Sequence, residues 1–163
     1  MKRVILVRHA IAHERNRARW PDDSQRPLTA TGKRKFRKAA RGLVRLLPKA
    51  APVLTSPYVR ARETAGILTA VHGGKFVECA ELGHGEPPRA VLELLRVRAG
   101  AAAILVGHEP DLGKFLAVAI GADKARLEFK KGGAACIEFG RRVAPGAATL
   151  RWFLTPRMLR ALR

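Results

Sequence analysis

Cysteine is scarce in this chain, and long apolar runs are absent. The two cysteines, Cys79 and Cys136, lie in apolar, strand-like stretches, and neither has a partner at metal-binding spacing. We therefore expect buried free thiols in a reducing compartment. Only four apolar residues precede Arg8, too few for the core of a signal peptide, and no run approaches the length of a membrane span. We expect a soluble, cytoplasmic protein with no membrane partner.

Acidic residues are also few. The chain has 32 Lys and Arg against 13 Asp and Glu, a net charge of +19, and residues 24–62 contain no acid. Such a charge attracts polyanions: nucleic acid, an acidic protein face or a phosphorylated substrate. A compositional bias that leaves a solvated basic surface explains it equally well. Aromatic residues make up only 6%, and no nucleic-acid motif is present, which argues against a nucleic-acid partner.

What is present is an alternation of short apolar runs and amphipathic segments. Strands are predicted over 3–7, 53–55, 76–79, 102–106, 134–139 and 148–154, and helices over 29–47, 57–72, 89–97, 110–120 and 156–162. This order predicts an α/β fold, a three-layer α/β/α sandwich around a mostly parallel mixed sheet of about six strands. No linker divides the chain, so residues 1–163 are predicted to form a single domain.

Two histidines follow apolar runs nearly a hundred residues apart. His9 ends the run Val4–Val7 after Arg8, and His108 ends the run Ala103–Val106 after Gly107. Ligands bind outside the carboxyl ends of strands in such sheets, so neighbouring strands would bring both imidazoles and Arg8 to one crevice. A neutral imidazole can attack phosphorus, and an adjacent guanidinium clamps the phosphate. Taken alone, an Arg-His pair after a strand is more often structural.

A third cationic group follows the strand at 53–55. Ser56-Pro57 predicts a helix start with Ser56 as the N-cap, and a helix N-terminus offers free amides to an anion. Arg60 lies near the first turn and is predicted to face the same crevice. The alternative is an arginine that faces solvent and pairs locally, which is the interpretation we favour for Arg62.

These residues belong to four stretches that recur in one family. The stretches are Leu6–Ala10, Arg26–Gly32, Thr55–Thr64 and Val106–Leu112. In this order, they resemble the histidine phosphatase superfamily with its phosphoglycerate-mutase-like fold. More narrowly, they resemble the small SixA-type phosphohistidine phosphatases.

The resemblance implies a role for each matching residue. His9 matches the nucleophile that becomes a transient phosphohistidine. Arg8 and Arg60 match the arginines that clamp the phosphate, and His108 matches the second histidine, which hydrogen-bonds the phosphate. Arg26 matches an arginine of the small subfamily that contacts substrate phosphate. The family needs no metal or other cofactor, and the sequence itself offers no metal site because His9 and His13 lack a third ligand.

The proton donor to the leaving group stays open. The wider family uses a carboxylic acid for this step, and Glu81 is the best candidate by position. Glu109 and Asp111 are rivals, although each also suits the first turn of a helix. A phosphoramidate substrate needs such an acid less, because its leaving imidazole can carry its own proton.

The substrate is predicted from the short stretch between Glu81 and the strand at 102–106. Relatives that enclose small substrates usually insert more there, so the resemblance implies a shallow, open site. Such a site suits phosphohistidine on a protein better than a small phosphate ester, which needs enclosure. The alternatives are a small-molecule phosphomonoesterase and a polyanion-binding module without catalysis. The basic face of residues 33–45 either attracts an acidic partner or is simply solvated.

Overall fold

A computed structural model describes residues 1–98, 100–122 and 125–162. The strands are β1 (Lys2–Arg8), β2 (Val53–Thr55), β3 (Phe76–Glu78), β4 (Ala102–Gly107), β5 (Ala134–Phe139) and β6 (Ala148–Leu154). The helices are α1 (Ala30–Leu43), α2 (Val59–His72), α3 (Pro88–Arg98), α4 (Asp111–Ala119) and α5 (Pro156–Ala161). Short 3₁₀ turns span Asp23–Gln25, Val44–Leu46 and Ala80–Leu82.

The six strands form one mixed sheet in the order β3-β2-β4-β1-β5-β6. β1 pairs in parallel with β4 and antiparallel with β5, and the β5–β6 hairpin closes one edge. The fold prediction is therefore confirmed. The register that matters most for function pairs Arg8 with Gly107, because the residues that follow them are His9 and His108.

The layers follow from the period of two in a strand, which sends successive side chains to opposite faces. On β1, Val4 and Leu6 pack into the core beneath α3 and α4, together with Phe115. Ile5 and Val7 pack into the core on the other face, which includes residues of α1, α2 and α5. Both faces of the central strand are covered, and its middle residues, Val4–Val7, are apolar and buried.

Two helix boundaries differ from the sequence prediction. α1 ends at Leu43 and passes through a 3₁₀ turn to Leu47, which is extended because Pro48 follows it. α2 begins at Val59 with Tyr58 as its N-cap, two residues later than predicted. Ser56 is therefore not the N-cap of α2, and its hydroxyl takes part in the site described below.

Both cysteines are free and buried, as predicted. Burial raises the pKa of the Cys136 thiol to about 11, so it stays protonated and unreactive. Within the described residues, no helix is both long enough and apolar enough to cross a bilayer.

Candidate active site

The pairing of β1 with β4 brings the two histidines together. The backbone amide of His9 donates to the carbonyl of Gly107 at 3.0 Å, which continues the parallel ladder past the strand ends. The imidazole rings of His9 and His108 have centroids 5.2 Å apart and are tilted by 55°. Both side chains are buried. The two apolar runs therefore bring both imidazoles to one place, as expected for neighbouring strands.

The environment of His9 fixes which of its nitrogens is free to react. Nδ1 lies 2.7 Å from the carbonyl oxygen of Ala10, which can only accept a hydrogen bond, so Nδ1 carries the ring proton. Nε2 therefore holds the lone pair. Burial, together with the charges of Arg60 and Arg8, lowers the pKa of His9 to about 3. At neutral pH the ring is an uncharged nucleophile.

His108 is held from the opposite side by Ser56. Its Nε2 lies 2.7 Å from Ser56 Oγ, and the same oxygen accepts the amide of Tyr58 at 3.2 Å. The serine hydroxyl has a hydrogen that it can donate to Nε2, and in that arrangement the His108 proton is on Nδ1. Burial, together with the nearby His9 and Arg60, lowers the pKa of His108 to about 2. Nδ1 is buried and has no hydrogen-bond partner among the described residues, which suits a donor to a substrate oxygen.

Arg60 is positioned by the first turn of α2. Its side chain is only 3% exposed, and its guanidinium carbon lies 4.9 Å from the centre of the Tyr58 ring. Nη1 donates to the backbone oxygen of Asp23 at 2.8 Å, and Nη2 lies 3.1 Å from the Asp23 carboxylate. Burial lowers the pKa of this guanidinium, although it remains charged near neutrality. It supplies a fixed positive charge beside the two histidines.

Asp23 also ties Arg26 to the site, and sequence analysis missed this acid. Arg26 Nε donates to Asp23 Oδ1 at 2.8 Å, while its Nη1 donates to the carbonyl of His13 at 2.6 Å. The hydrogen bond from Arg26 lowers the pKa of Asp23, with the charge of Arg60 adding to it. The only sequence signal was the spacing of three residues between Asp23 and Arg26, which suits a local ion pair.

Arg8 leaves β1 on the face covered by α3 and α4. Its Nη1 donates to the carbonyl of Phe129, and its Nε is buried without a hydrogen-bond partner among the described residues. Burial lowers its pKa, and the nearby Glu109 and Glu128 oppose that shift. The charge of Arg8 is close enough to lower the pKa of His9, so the guanidinium belongs to the same electrostatic site.

Thr64 joins the loop after β1 to α2. Its Oγ1 accepts the amide of Ala10 at 3.0 Å and donates to the carbonyl of Arg60 at 2.7 Å. This buried hydroxyl therefore fixes the residue after the nucleophile relative to the helix that carries Arg60. The sequence placed Thr64 in a family-like stretch without assigning it a task.

Glu109 and Glu81, two of the carboxylates predicted as proton donors, have different surroundings. Glu109 accepts the amide of Phe129 at 3.1 Å, and burial raises its pKa. Glu81 sits in the 3₁₀ turn Ala80–Leu82. In the described part of the chain, neither acid forms a hydrogen bond or ion pair with His9, Arg60 or His108.

The third candidate, Asp111, forms a hydrogen bond with another histidine at the site, His84. Its Oδ2 lies 2.9 Å from His84 Nδ1 and accepts the amide of Gly85 at 3.1 Å. The ring centroid of His84 lies 6.1 Å from that of His108. Sequence analysis assigned no role to His84. It is partly exposed, but its other side faces the candidate active site.

The arrangement suits attack on a phosphoryl group. A neutral imidazole with a free lone pair lies beside a second imidazole and the charges of three arginines, which can hold the equatorial oxygens of a transferring phosphoryl group. No group of three or more His, Cys, Asp or Glu residues is clustered as a metal site in residues 1–98, 100–122 and 125–162.

The chain resembles known proteins in sequence and in fold. A family model described as the histidine phosphatase superfamily (branch 1) matches residues 4–84. An uncharacterized protein of Picosynechococcus sp. is 36% identical over 138 residues, which cover 80% of this chain and 81% of the relative.

Two solved structures share the fold over nearly their whole length. The protein histidine phosphatase SixA complexed with tungstate has a TM-score of 0.79 at 21% identity, covering 96% of this chain and 99% of SixA. The putative phosphohistidine phosphatase SixA from Agrobacterium tumefaciens has a TM-score of 0.74 at 25% identity, covering 95% and 98%. On the sequence match and the shared fold, this chain belongs to the histidine phosphatase superfamily.

Proposed function

We propose that this protein is a metal-independent phosphatase that passes the phosphoryl group through His9, and that its substrate is phosphohistidine on a protein. The observation that carries the proposal is the hydrogen bond from His9 Nδ1 to the Ala10 carbonyl. Because the ring proton is then on Nδ1, the lone pair is on Nε2, and the ring of His108 lies next to that of His9. A purely structural role for a buried histidine does not explain why a second uncharged imidazole and several arginines surround it.

The reaction has two displacements at phosphorus. In the first, His9 Nε2 forms a bond to phosphorus while the bond to the leaving group breaks. Arg8, Arg60 and His108 Nδ1–H stabilise the equatorial oxygens, and Arg26 adds positive charge. In the second, water attacks phosphorus and the bond to His9 breaks. Nδ1–H remains on the Ala10 carbonyl throughout, so His9 leaves as a neutral imidazole.

Charge around the site supports a protein substrate. A cavity of about 520 Å³ lies beside Arg8, with Lys114 and Arg126 among its lining residues. A smaller one of about 180 Å³ lies beside Ala10, with Lys35, Lys131 and Arg160 on its walls. Glu109 and Glu128 also line the first cavity, whereas the charged side chains that line the second are all basic. The basic side chains of the second cavity favour contact with an acidic protein face around the phosphorylated residue.

A substrate panel tests the proposal. Initial rates would be measured for a phosphohistidine peptide, an aryl phosphate, sugar phosphates and bisphosphoglycerate, each with and without a chelator. We expect the phosphohistidine peptide to have the highest kcat/KM, with no loss on chelation and no activity in His9→Ala. The control His72→Ala changes a histidine whose ring contacts the Ala51 carbonyl, outside the site, and should retain full activity.

Three results would overturn parts of the proposal. Preference for a sugar phosphate would assign a small-ester phosphatase. Loss of activity with chelator would overturn metal independence. Tight binding of polyanions with a steep salt dependence, no turnover and no effect of His9→Ala would assign a binding module instead.

A further inference from the structure

His84 and Asp111 form a pair at the edge of the candidate active site. The His84 side chain is 35% exposed, whereas Asp111 is 15% exposed. Nδ1 of His84 faces the Asp111 carboxylate at 2.9 Å, and that carboxylate is also fixed by the Gly85 amide. The carboxylate accepts the Nδ1 proton, so the ring orientation is set by the pair.

The other nitrogen of His84 is available to a substrate. Nε2 forms no hydrogen bond with the residues that the structure describes. The ring stands edge-on to His108, with centroids 6.1 Å apart and an interplanar angle of 75°. A group bound to phosphorus, between the histidine pair and solvent, would therefore lie near this partly exposed ring.

A leaving group that departs as an anion needs an acid near phosphorus to protonate it. Departure of an alkoxide or phenoxide costs far less when a positioned acid protonates the oxygen as its bond to phosphorus breaks. Glu109 is engaged with the Phe129 amide. Asp23 is engaged with Arg26 and Arg60. An imidazole held by a carboxylate through Nδ1, as His84 is, can instead give a proton from Nε2 and take one back at the same atom.

We propose that His84, oriented by Asp111, is the proton donor to the leaving group and the base that then activates water. The inference rests on the proposed phosphatase function and names a catalytic residue for it. As His9 Nε2 bonds to phosphorus, the bond to the leaving atom breaks and that atom takes the Nε2 proton of His84. Water then attacks phosphorus, gives its proton to His84 Nε2, and the bond to His9 breaks. The cycle restores protonated His84 and releases phosphate.

The leaving-group dependence of phosphoenzyme formation tests this assignment. Rapid quench would compare p-nitrophenyl phosphate, whose phenolate leaves unaided, with phenyl phosphate, whose phenolate needs a proton. In His84→Gln we expect formation from phenyl phosphate to slow by on the order of 10²–10³. Formation from p-nitrophenyl phosphate should change less than about threefold. Asp111→Asn, whose amide oxygen can still accept from Nδ1, should give an intermediate loss of about tenfold.

His72→Gln is the matched control, because His72 is a partly exposed histidine outside the site. It should slow neither substrate. Equal slowing of both aryl phosphates in His84→Gln, or no slowing of phenyl phosphate, would overturn the role of His84 while leaving the phosphatase intact. If the unsubstituted protein forms no phosphoenzyme from either aryl phosphate or from a phosphohistidine peptide, the proposed function fails and this inference with it.

Discussion

The carboxylate of Asp23 lies 3.1 Å from Nη2 of Arg60, in the same site where the guanidinium would meet a phosphoryl group. The same carboxylate also accepts a hydrogen bond from Nε of Arg26 at 2.8 Å. One acid therefore holds two arginines in place and neutralises part of their charge. A substrate phosphate that binds here shares Nη2 of Arg60 with this carboxylate or displaces it.

Removal of the Asp23 charge should strengthen anion binding. In Asp23→Asn, the backbone carbonyl still accepts from Arg60 Nη1, and the amide oxygen can still accept from Nη2. The competing negative charge is gone, so we expect the inhibition constants of phosphate and tungstate to fall about three- to tenfold, a modest gain because Asp23 is partly exposed. Competitive inhibition at fixed ionic strength measures the change.

The neighbouring acid provides the control. Asp22 is exposed and bonds to Ser24, so Asp22→Asn alters the same net charge without touching an arginine. Its inhibition constants should move less than about twofold. Equal effects of the two substitutions would show that only overall charge matters.

Loss of the Arg60 guanidinium should slow turnover far more than it weakens substrate binding. Arg60→Ala removes a buried, preorganised charge, and we expect kcat to fall by on the order of 10²–10³. Arg62→Ala is the matched control, because the Arg62 side chain is 42% exposed and pairs with Glu78 at 3.4 Å. Its kcat should stay within about twofold. Full activity of Arg60→Ala would remove this residue from the site.

Ser56 should act through His108. Ser56→Ala removes the hydroxyl that meets Nε2, so the ring loses the contact that sets its tautomer. We expect kcat to fall about ten- to hundredfold with little change in KM. Nitrogen NMR of the His108 ring should report a proton on Nδ1 in the unsubstituted protein and a mixture in the variant. An unchanged tautomer in an inactive variant would assign Ser56 a purely structural part.

The buried histidines should make the protein sensitive to acid. Their pKa values are lowered to about 3 and about 2 in the folded state, whereas an unfolded histidine has a pKa near 6.5. The unfolded chain therefore binds more protons as pH falls below about 6.5. The stability that depends on these uncharged histidines is fully present above about pH 6.5, and it is lost as the pH falls toward the pKa values of the folded state. Each histidine should cost about 2 kcal/mol of unfolding free energy between pH 7 and pH 5.

Chemical denaturation at the two pH values measures this loss. His108→Gln removes one of the titrating groups, so its loss between pH 7 and pH 5 should be smaller than that of the unsubstituted protein by about 2 kcal/mol. The comparison cancels the contributions of other acids and bases. Identical losses in the two proteins would contradict the burial of an uncharged His108.

The strand framework could be predicted because its signals are local. The apolar runs before His9 and His108 mark buried parallel strands, and the order of strands and helices restricts the topology to a few sandwiches. The proximity of the two rings followed once the strands were neighbours. Arg62, which sequence analysis assigned to solvent, is 42% exposed and pairs with Glu78.

The rest of the site depends on contacts between distant loops, which leave no pattern in the sequence. Asp23 reaches Arg60 across 37 residues, and no periodicity links a 3₁₀ turn to a helix. His84 lies in a short glycine-rich loop, so its approach to His108 is set by the path of that loop. Ser56 looked like an N-cap because Ser-Pro usually starts a helix, but here its hydroxyl contacts His108 instead.

The most direct measurement of the central claim is the capture of phosphorylated His9. The protein would be mixed for milliseconds with a labelled phosphohistidine peptide, quenched in base and analysed by mass spectrometry of its peptides. The label should be on His9, stable in base and lost in acid, and it should be absent from His9→Ala but present in His72→Ala. Label on another residue, or the same labelled peptide in His9→Ala, would contradict the assignment of His9 as the nucleophile.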